Sequence, residues 1–466
     1  MNLIEPKYPN KKASKISKIL VLSAISFLIY SYLTLDYYIP LIHYILGSIV
    51  IILGIIPSLI YLKQVKMESV PLLPLVGLFY AFSFGLVGFE NVFRNFYVTQ
   101  TALTSVLILA IMGLISLYTG YYLVGKNLFR KIKPFHLNAN IDNKKISFYG
   151  WLLELIYIFY LLFLRDKLFL DNFDQLLDIV SLLGKGFLFY LILKGEMTKT
   201  KTVLFSLLTI FEFIIAFTSG HLAWVISLSM FFSVIYLFIK KKIPIFVAIF
   251  VIAFFYTFQS VKADYRLYIW GLNNQSYNLF DRLKIFTDLA IESKNGSGNI
   301  STFSLTLQRI DNLGTTAVVW MKTPSEIPFQ YGESYAPLLT KFIPRFLWPS
   351  KPKENFGNIW AKWYDLLQPN DYVTSYNLPW LTEFYMNFGI MGVLLGMFMV
   401  GVIFRFLVNK FCNSPTNIFE ALFGIILTIG LFVQESNLSL VLGGVIVLYI
   451  PLYLIMKFIA QVNIKV

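Results

Sequence analysis

Residues 240–266 read KKKIPIFVAIFVIAFFYTFQSVKADYR. Three lysines precede an apolar run over 243–261, and charges return at Lys262, Asp264 and Arg266. A helix needs about 20 apolar residues to cross the hydrocarbon core of a bilayer, so this stretch predicts one membrane-spanning helix. The lysine triplet predicts a cytoplasmic end for that helix, because cytoplasmic loops are enriched in lysine and arginine.

The same pattern recurs along the whole chain of 466 residues. Hydrophobic residues make up 57% of the chain, charged residues only 14%, and the mean hydropathy is +0.68. Because a soluble domain carries about 25% charged residues, this composition predicts an all-α polytopic membrane protein. The net charge of +14 is explained by lysines in short loops, and we expect no nucleic-acid partner. The single Cys412 excludes an internal disulfide framework.

Twelve apolar runs predict about twelve transmembrane helices. We place them at about 19–35, 40–62, 71–89, 102–124, 147–164, 177–194, 202–219, 222–239, 243–261, 384–404, 416–434 and 438–459. Lysine and arginine concentrate in every second short connection, which predicts an even number of spans with both termini cytoplasmic. The predicted division is therefore 1–261 for helices one to nine, 262–382 for one large extracytoplasmic loop, and 383–466 for helices ten to twelve.

The loop over 262–382 is too long for a simple connection. It contains six of the eight tryptophans, namely Trp270, Trp320, Trp348, Trp360, Trp363 and Trp380. Such a high aromatic content disfavours disorder, so we predict a folded, mostly helical segment that caps the outer face. Arginine forks bind phosphate oxygens, and aromatic faces pack on flat apolar groups such as sugar rings. The alternative is an aromatic belt at the membrane interface.

Two stretches near the end of this loop carry a family resemblance. They are YGESYAPLLTKFIPRFLWPSKP at 331–352 and LTEFYMNFGIMGVLLG at 381–396. Both resemble motifs of the Wzy-type family of O-antigen and oligosaccharide repeat-unit polymerases. The remainder of the chain resembles that family in architecture, with many spans and one large outer loop. Many members carry an arginine after a Ser-Gly pair at an outer span end, whereas here Ser219–Gly220 is followed by His221.

The resemblance implies a membrane glycosyltransferase of GT-C-like architecture in the bacterial cell (inner) membrane. Its activity would be to polymerise undecaprenyl-pyrophosphate-linked oligosaccharide repeat units at the outer, periplasmic face, giving O-antigen, capsule or exopolysaccharide. The expected partners are the lipid-linked oligosaccharide, the bilayer, a chain-length regulator and a flippase. No cofactor or metal is expected, because the chain has no Asp-x-Asp motif and no glycine-rich phosphate loop after a strand. A ligase of the same glycans and a lipid-linked oligosaccharide flippase remain alternatives.

Glycosyl transfer from a pyrophosphate needs stabilisation of the leaving group and a base or positioning group for the acceptor hydroxyl. For Glu383 the alternative is an ion pair with a loop cation, and for Arg266 it is an interface anchor. For Arg309 a salt bridge to Asp311 or elsewhere on the cap is favoured over a functional role. The predicted catalytic residues are Glu383, Arg345 and His221, and the predicted substrate-binding residues are Arg266, Arg309, Lys351, Trp348 and Tyr335.

Three ionisable residues fall inside predicted spans: Glu154, Lys185 and Glu212. A charge in hydrocarbon is costly, so such residues face the bundle interior and find partners. We therefore predict that Lys185 pairs with Glu154 or Glu212.

Overall fold

The computed structural model describes residues 11–33, 39–63, 70–89, 98–137, 142–164, 174–220, 222–270, 277–295, 302–341, 343, 348, 350, 355–372 and 374–461. Every regular element in these ranges is helical. The helices are α1 (Lys11–Leu33), α2 (Leu41–Lys63), α3 (Leu72–Phe89), α4 (Gln100–Leu128), α5 (Asn143–Phe163), α6 (Asp174–Lys194), α7 (Lys199–Thr218), α8 (Leu222–Lys240), α9 (Ile245–Trp270), α10 (Leu279–Asn295), α11 (Thr302–Ile310), α12 (Asn312–Lys322), α13 (Phe356–Trp363), α14 (Trp380–Cys412), α15 (Ile418–Phe432) and α16 (Leu438–Gln461).

Short polar side chains begin several of the long apolar helices. The Thr99 hydroxyl accepts a hydrogen bond from the Ala102 amide at 3.2 Å before α4. The Asn417 side chain accepts one from the Glu420 amide at 3.0 Å before α15. These side chains satisfy amides that the first helical turn leaves without an acceptor. The apolar runs behind them then remain helical, because a helix satisfies its backbone polar groups internally in a hydrocarbon environment.

Within the described ranges, eight helices are long and apolar enough to cross a membrane: α2, α3, α4, α5, α6, α7, α14 and α16. Their length and composition confirm the prediction of an all-α, multi-pass membrane protein at this level. The other four predicted spans also fall on helices, namely α1, α8, α9 and α15.

Two helices run further than the sequence-based boundaries. The predicted ninth span ends at 261, whereas α9 continues to Trp270, so Arg266 lies inside the helix. The buried Tyr265 holds this extension by packing among the Phe217 and Phe286 rings. The predicted tenth span begins at 384, whereas α14 already begins at Trp380.

The segment over 262–382 is mostly helical where the structure describes it. It contains the end of α9, the helices α10 to α13, the first turn of α14, and two short turns at Glu333–Tyr335 and Pro337–Thr340. The predicted helical character of the loop is thereby confirmed for its described residues. Its position on the outer face, and the division of the chain at 261 and 382, remain predictions.

The helices form two compact units. One unit draws on Met1–Asn140, Tyr157–Ile179 and Ile310–Asn463, and the other on Ile141–Ile156 and Val180–Arg309. In the first unit α4 and α14 approach closely at Gly401, where an added Cβ would lie 2.1 Å from the Leu117 carbonyl oxygen. This contact fixes α14, which carries Glu383, against the core of the first unit.

Candidate functional site

Helix α14 is broken just after the predicted catalytic Glu383. Phe388 (φ −141°, ψ 16°) and Gly389 (φ 64°, ψ −150°) depart from helical geometry. The positive φ at Gly389 is a conformation that only glycine adopts without strain. The break separates a short first segment, Trp380 to Asn387, from the long remainder of the helix. It also deprives the last carbonyls of the short segment of their helical partners.

A turn from the 262–382 segment satisfies these carbonyls. The Gln330 amide donates to the Met386 carbonyl at 3.1 Å, and the Tyr331 amide donates to the Asn387 carbonyl at 3.2 Å. The next residue, Gly332, has φ 93°. Its amide donates to the Asn387 side-chain oxygen at 2.7 Å. The turn is therefore fitted to the helix break by three hydrogen bonds.

Asn387 joins the two motif-bearing stretches. Its side-chain nitrogen donates to the Ser334 hydroxyl at 2.9 Å and to the Glu383 carbonyl at 2.8 Å. Together with the bond from Gly332, these bonds use the oxygen and both N–H groups of the Asn387 side-chain amide. Asn387 is fully buried. A buried amide satisfied in this way fixes a single arrangement of its neighbours. The stretches 331–335 and 383–389, which are distant in sequence, therefore form one site.

Glu383 lies in the centre of this arrangement with none of its surface exposed. Its Oε2 atom accepts a hydrogen bond from the Leu438 amide at 2.6 Å, which places the carboxyl at the first residue of α16. A helix N-terminus is a favourable position for negative charge. The Oε1 atom has no hydrogen-bond partner within the described part of the chain, and no cation there pairs with Glu383. The alternative of an ion pair with a described loop cation is thereby excluded.

Tyr335 is brought together with Glu383. Its hydroxyl is buried and, among the described residues, has no hydrogen-bond partner. Burial, and then the neighbouring Glu383 charge, raise the pKa of the Tyr335 phenol above its usual value, so the group stays protonated. Among the described residues, Glu383 Oε1 and the Tyr335 hydroxyl therefore both lack a well-aligned hydrogen bond, and both groups lie near the Ser334 hydroxyl.

The connection between α15 and α16 forms a further wall of the site. The Trp380 amide and indole donate to the carbonyls of Gln434 and Ser436 at 3.2 and 2.8 Å. The Tyr80 hydroxyl donates to the Gln434 side-chain oxygen at 2.9 Å. Since these donors come from α3 and α14, they hold the residues before Leu438 in place. Glu383 is therefore held by α14, which carries it, and by the start of α16, which it contacts.

Lys341 is a residue that the sequence-based prediction did not select. Its aliphatic stem packs on α16 at Gly443, where an added Cβ would lie 2.6 Å from Lys341 Cε. The residue is half-buried. The signal available in the sequence was its position six residues after Tyr335, inside the first motif stretch. This lysine belongs to the same segment that packs on the break in α14.

Arg266 and Arg309 lie in the second unit. The Arg266 Nε and Nη2 atoms donate to the Gly220 carbonyl at 3.1 and 2.9 Å. The neighbouring Tyr265 hydroxyl donates to the Thr218 carbonyl at 2.9 Å. These bonds hold α9 against the turn that precedes His221. The Arg266 guanidinium is half-buried and within electrostatic reach of Arg309.

The remaining predicted residues are placed only in part. Trp348 is half-buried, and its indole donates to the Ser350 hydroxyl at 2.9 Å. Arg345, Lys351 and His221 lie outside the described residues. Among the residues that the structure does describe, no group of three His, Cys, Asp or Glu side chains could hold a metal ion.

Comparison with known proteins identifies a family without assigning an activity. A family model described as "Domain of unknown function (DUF8712)" matches residues 73–466, which is most of the chain, and the chain belongs to this family. No curated protein and no solved structure matches it.

Proposed function

We propose that this protein is a membrane glycosyltransferase that polymerises undecaprenyl-pyrophosphate-linked oligosaccharide repeat units into a surface polysaccharide. The observation that carries the proposal is the meeting of the two motif-bearing stretches at Asn387, with the Glu383 carboxyl and the Tyr335 phenol beside it. Tyr335 comes from the first stretch and Glu383 and Asn387 come from the second, so neither stretch alone supplies all three side chains. A site assembled from a long loop and a helix break suits a reaction on a large substrate.

The proposal includes a topology of twelve spans with both termini in the cytoplasm. The eight long apolar helices are joined by α1, α8, α9 and α15, each of which carries one further predicted span. This arrangement places the lysine-rich connections inside and the 262–382 segment outside, in a bacterial cell membrane. The motif-bearing site then lies at the outer surface, where lipid-linked repeat units would be available.

The reaction breaks the bond between the anomeric carbon and the pyrophosphate oxygen of the donor. A hydroxyl oxygen of the acceptor sugar forms the new bond to that carbon and gives up its proton. Undecaprenyl pyrophosphate leaves with the electron pair. Glu383 Oε1 is the proposed acceptor of the proton, and the Tyr335 hydroxyl is the proposed donor of a hydrogen bond to a sugar oxygen.

Because the carboxyl is fully buried, the proposal requires movement of the turn at 330–335 to admit the acceptor sugar. The three hydrogen bonds of that turn with α14 can be exchanged for bonds to sugar hydroxyls. The ring contacts of Tyr331 with Phe388 and of Tyr335 with Phe384 would have to open in the same movement.

Stabilisation of the leaving pyrophosphate is assigned to the arginines and lysines of the outer segment. Arg266 and Arg309 keep their predicted role in substrate binding, since a guanidinium can donate two parallel hydrogen bonds to phosphate oxygens. Arg345, with Lys351 and Trp348 in the same motif stretch, is proposed as the main phosphate clamp on its family-like pattern. A ligase would use the same chemistry, and a flippase would need none of it.

Deletion of the gene tests the proposed function. The expected result is surface glycan made only of single repeat units, without the ladder of chains of increasing repeat number. Lipid-linked polymer that accumulates without reaching its final acceptor would instead identify a ligase, and units retained on the cytoplasmic face would identify a flippase. Complementation with Arg345→Lys keeps the charge but loses the bidentate fork. Normal chain length in that strain would contradict the clamp.

A further inference from the structure

A second group of buried ionisable side chains lies in the second unit. Lys185 on α6 is 2.9 Å from a Glu212 oxygen on α7 and 3.1 Å from a Glu154 oxygen on α5. All three side chains are buried, with exposures of 0%, 2% and 0% for Lys185, Glu212 and Glu154. The predicted pairing of Lys185 is confirmed, with the difference that it contacts both carboxyls. Two carboxyls and one ammonium do not balance in charge.

The position of the ammonium protons follows from its neighbours. Lys185 Nζ lies at hydrogen-bonding distance from Glu154 Oε2 at 3.1 Å, Ser181 Oγ at 2.7 Å and Glu212 Oε1 at 2.9 Å. A protonated lysine has three N–H groups and no acceptor, so an ammonium suits a nitrogen that is surrounded by oxygens. The lysine is therefore the cation of the cluster.

The carboxyl oxygens of the cluster are short of donors. Glu154 Oε1 and both Glu212 oxygens are buried without a well-aligned hydrogen bond among the described side chains and backbone, although Glu212 Oε1 lies 2.9 Å from the Lys185 nitrogen. Both carboxyls flank the same Lys185 nitrogen, at 3.1 and 2.9 Å, so they lie close to each other. Two ionised carboxylates so close together repel, and one proton bound between them removes that repulsion.

We propose that Glu154, Glu212 and Lys185 form a proton-binding site, in which the two carboxyls share one bound proton. With that proton the cluster carries no net charge, and without it one negative charge would remain uncompensated inside a membrane-spanning bundle. Gly184 brings α6 against α5 here, since an added Cβ would lie 2.9 Å from the Glu154 amide nitrogen. Two further helices pack on α7. The one Asp, Glu, Lys, Arg or His residue of α8 is Lys240 at its end. Helix α10 carries Asp281, Arg282, Lys284, Asp288, Glu292 and Lys294.

Infrared spectroscopy of the purified full-length protein tests this proposal. At about pH 8 exposed carboxyls are ionised, so a protonated-carboxyl C=O band reports a buried acid. We expect this band in the wild-type protein, with a downshift in heavy water. Glu154→Gln and Glu212→Gln should each remove most of it, as seen in a wild-type-minus-variant difference spectrum, because either change leaves one carboxylate balanced by Lys185. Glu196→Gln, at an exposed position, should leave the band unchanged.

Two further measurements complete the test. Lys185→Met should roughly double the band area, because both carboxyls must then be neutral; if this variant does not fold, the two glutamine variants decide alone. Sodium ions added at constant pH should leave the wild-type band intact. The absence of the band in the wild-type protein, an undiminished band in both glutamine variants, or its loss on addition of sodium would each overturn the proposal.

Discussion

At the scale of a single residue, Glu383 has a structural contact and a proposed chemical role at the same time. One oxygen caps the first residue of α16, and the other has no donor among the described residues. Glu383→Gln keeps an oxygen for the Leu438 amide but removes the carboxylate. We expect the melting temperature to stay near the wild-type value while the glycan ladder disappears, because the proton acceptor is lost.

Glu326→Gln is the matched control for this change, because Glu326 is exposed and lies in the same outer segment. It should leave both the melting temperature and the ladder unchanged. A normal ladder from the Glu383→Gln strain would show that Glu383 takes no part in the reaction and only caps the start of α16. A large fall in melting temperature without further loss of specific activity would lead to the same conclusion.

Asp311 predicts a pH dependence of stability. Its Oδ1 atom caps α12 through the Gly314 amide at 2.7 Å, and burial raises the pKa of the carboxyl to about 7. The folded state therefore binds a proton more tightly than the unfolded state does. Stability should fall as the pH rises from about 4 to about 7, by at most about 4 kcal/mol, and then level off.

Asp311→Asn tests this dependence, because asparagine also caps a helix and resembles the protonated acid. Melting temperatures of the two proteins should agree at about pH 4.5, and the variant should be the more stable at about pH 8. Parallel pH profiles for the two proteins would show that Asp311 does not titrate in this way.

At the scale of the elements, the break in α14 is the feature on which the site depends. Gly389→Ala places a side chain at φ 64° and brings its Cβ to 3.1 Å from the Phe329 ring. We expect a loss of about 1–3 kcal/mol in the free energy of unfolding, measured as a lower melting temperature. The expected ladder is also shortened, since the turn at 330–332 would no longer fit the break.

The control for this change is Gly444→Ala in α16, where an added Cβ meets nothing within 4 Å. Alanine there should stabilise the helix by about 0.5–1 kcal/mol. If both alanine variants changed stability in the same direction and by the same amount, the positive φ at Gly389 would have no energetic role.

The proton-binding cluster also predicts non-additive stability. Lys185→Met alone leaves two buried carboxyls without their cation and should cost about 3–5 kcal/mol. Removal of all three groups, in Lys185→Met with Glu154→Gln and Glu212→Gln, should cost less. Melting temperatures of the single and combined variants measure this difference. Losses that simply add would reject the coupling between these helices.

The positions of the helices were predictable from the sequence, whereas the break in α14 was not. Apolar runs of about 20 residues predicted where the helices lie, because the need to satisfy the backbone in hydrocarbon leaves few other solutions. The break at Phe388–Gly389 was not predicted, although Asn387 and Gly389 both stand in the second motif stretch. Its cause is the turn at 330–332, which is remote in sequence. Likewise, the capping contact of Glu383 with Leu438 depends on packing that no local pattern contains.

At the scale of the whole molecule, the proposed topology makes the 262–382 segment accessible from outside. Cys412, the single cysteine, is buried, so its replacement by serine gives a background for new cysteines. Cysteine at the exposed position Glu326 should react with a membrane-impermeant thiol reagent in intact cells, and cysteine at Lys242 should react only after lysis. The reverse pattern would invert the topology and place the motif-bearing site inside.

The most direct measurement of the central claim is reconstitution of the purified protein in vesicles. Its substrate is the lipid-linked single repeat unit that accumulates in the deletion strain, supplied without nucleotide sugars and without other proteins. We predict a ladder of lipid-linked products with release of undecaprenyl pyrophosphate, and no ladder with Glu383→Gln. Unchanged repeat units in the presence of folded wild-type protein, or their movement across the bilayer without any new glycosidic bond, would contradict the claim.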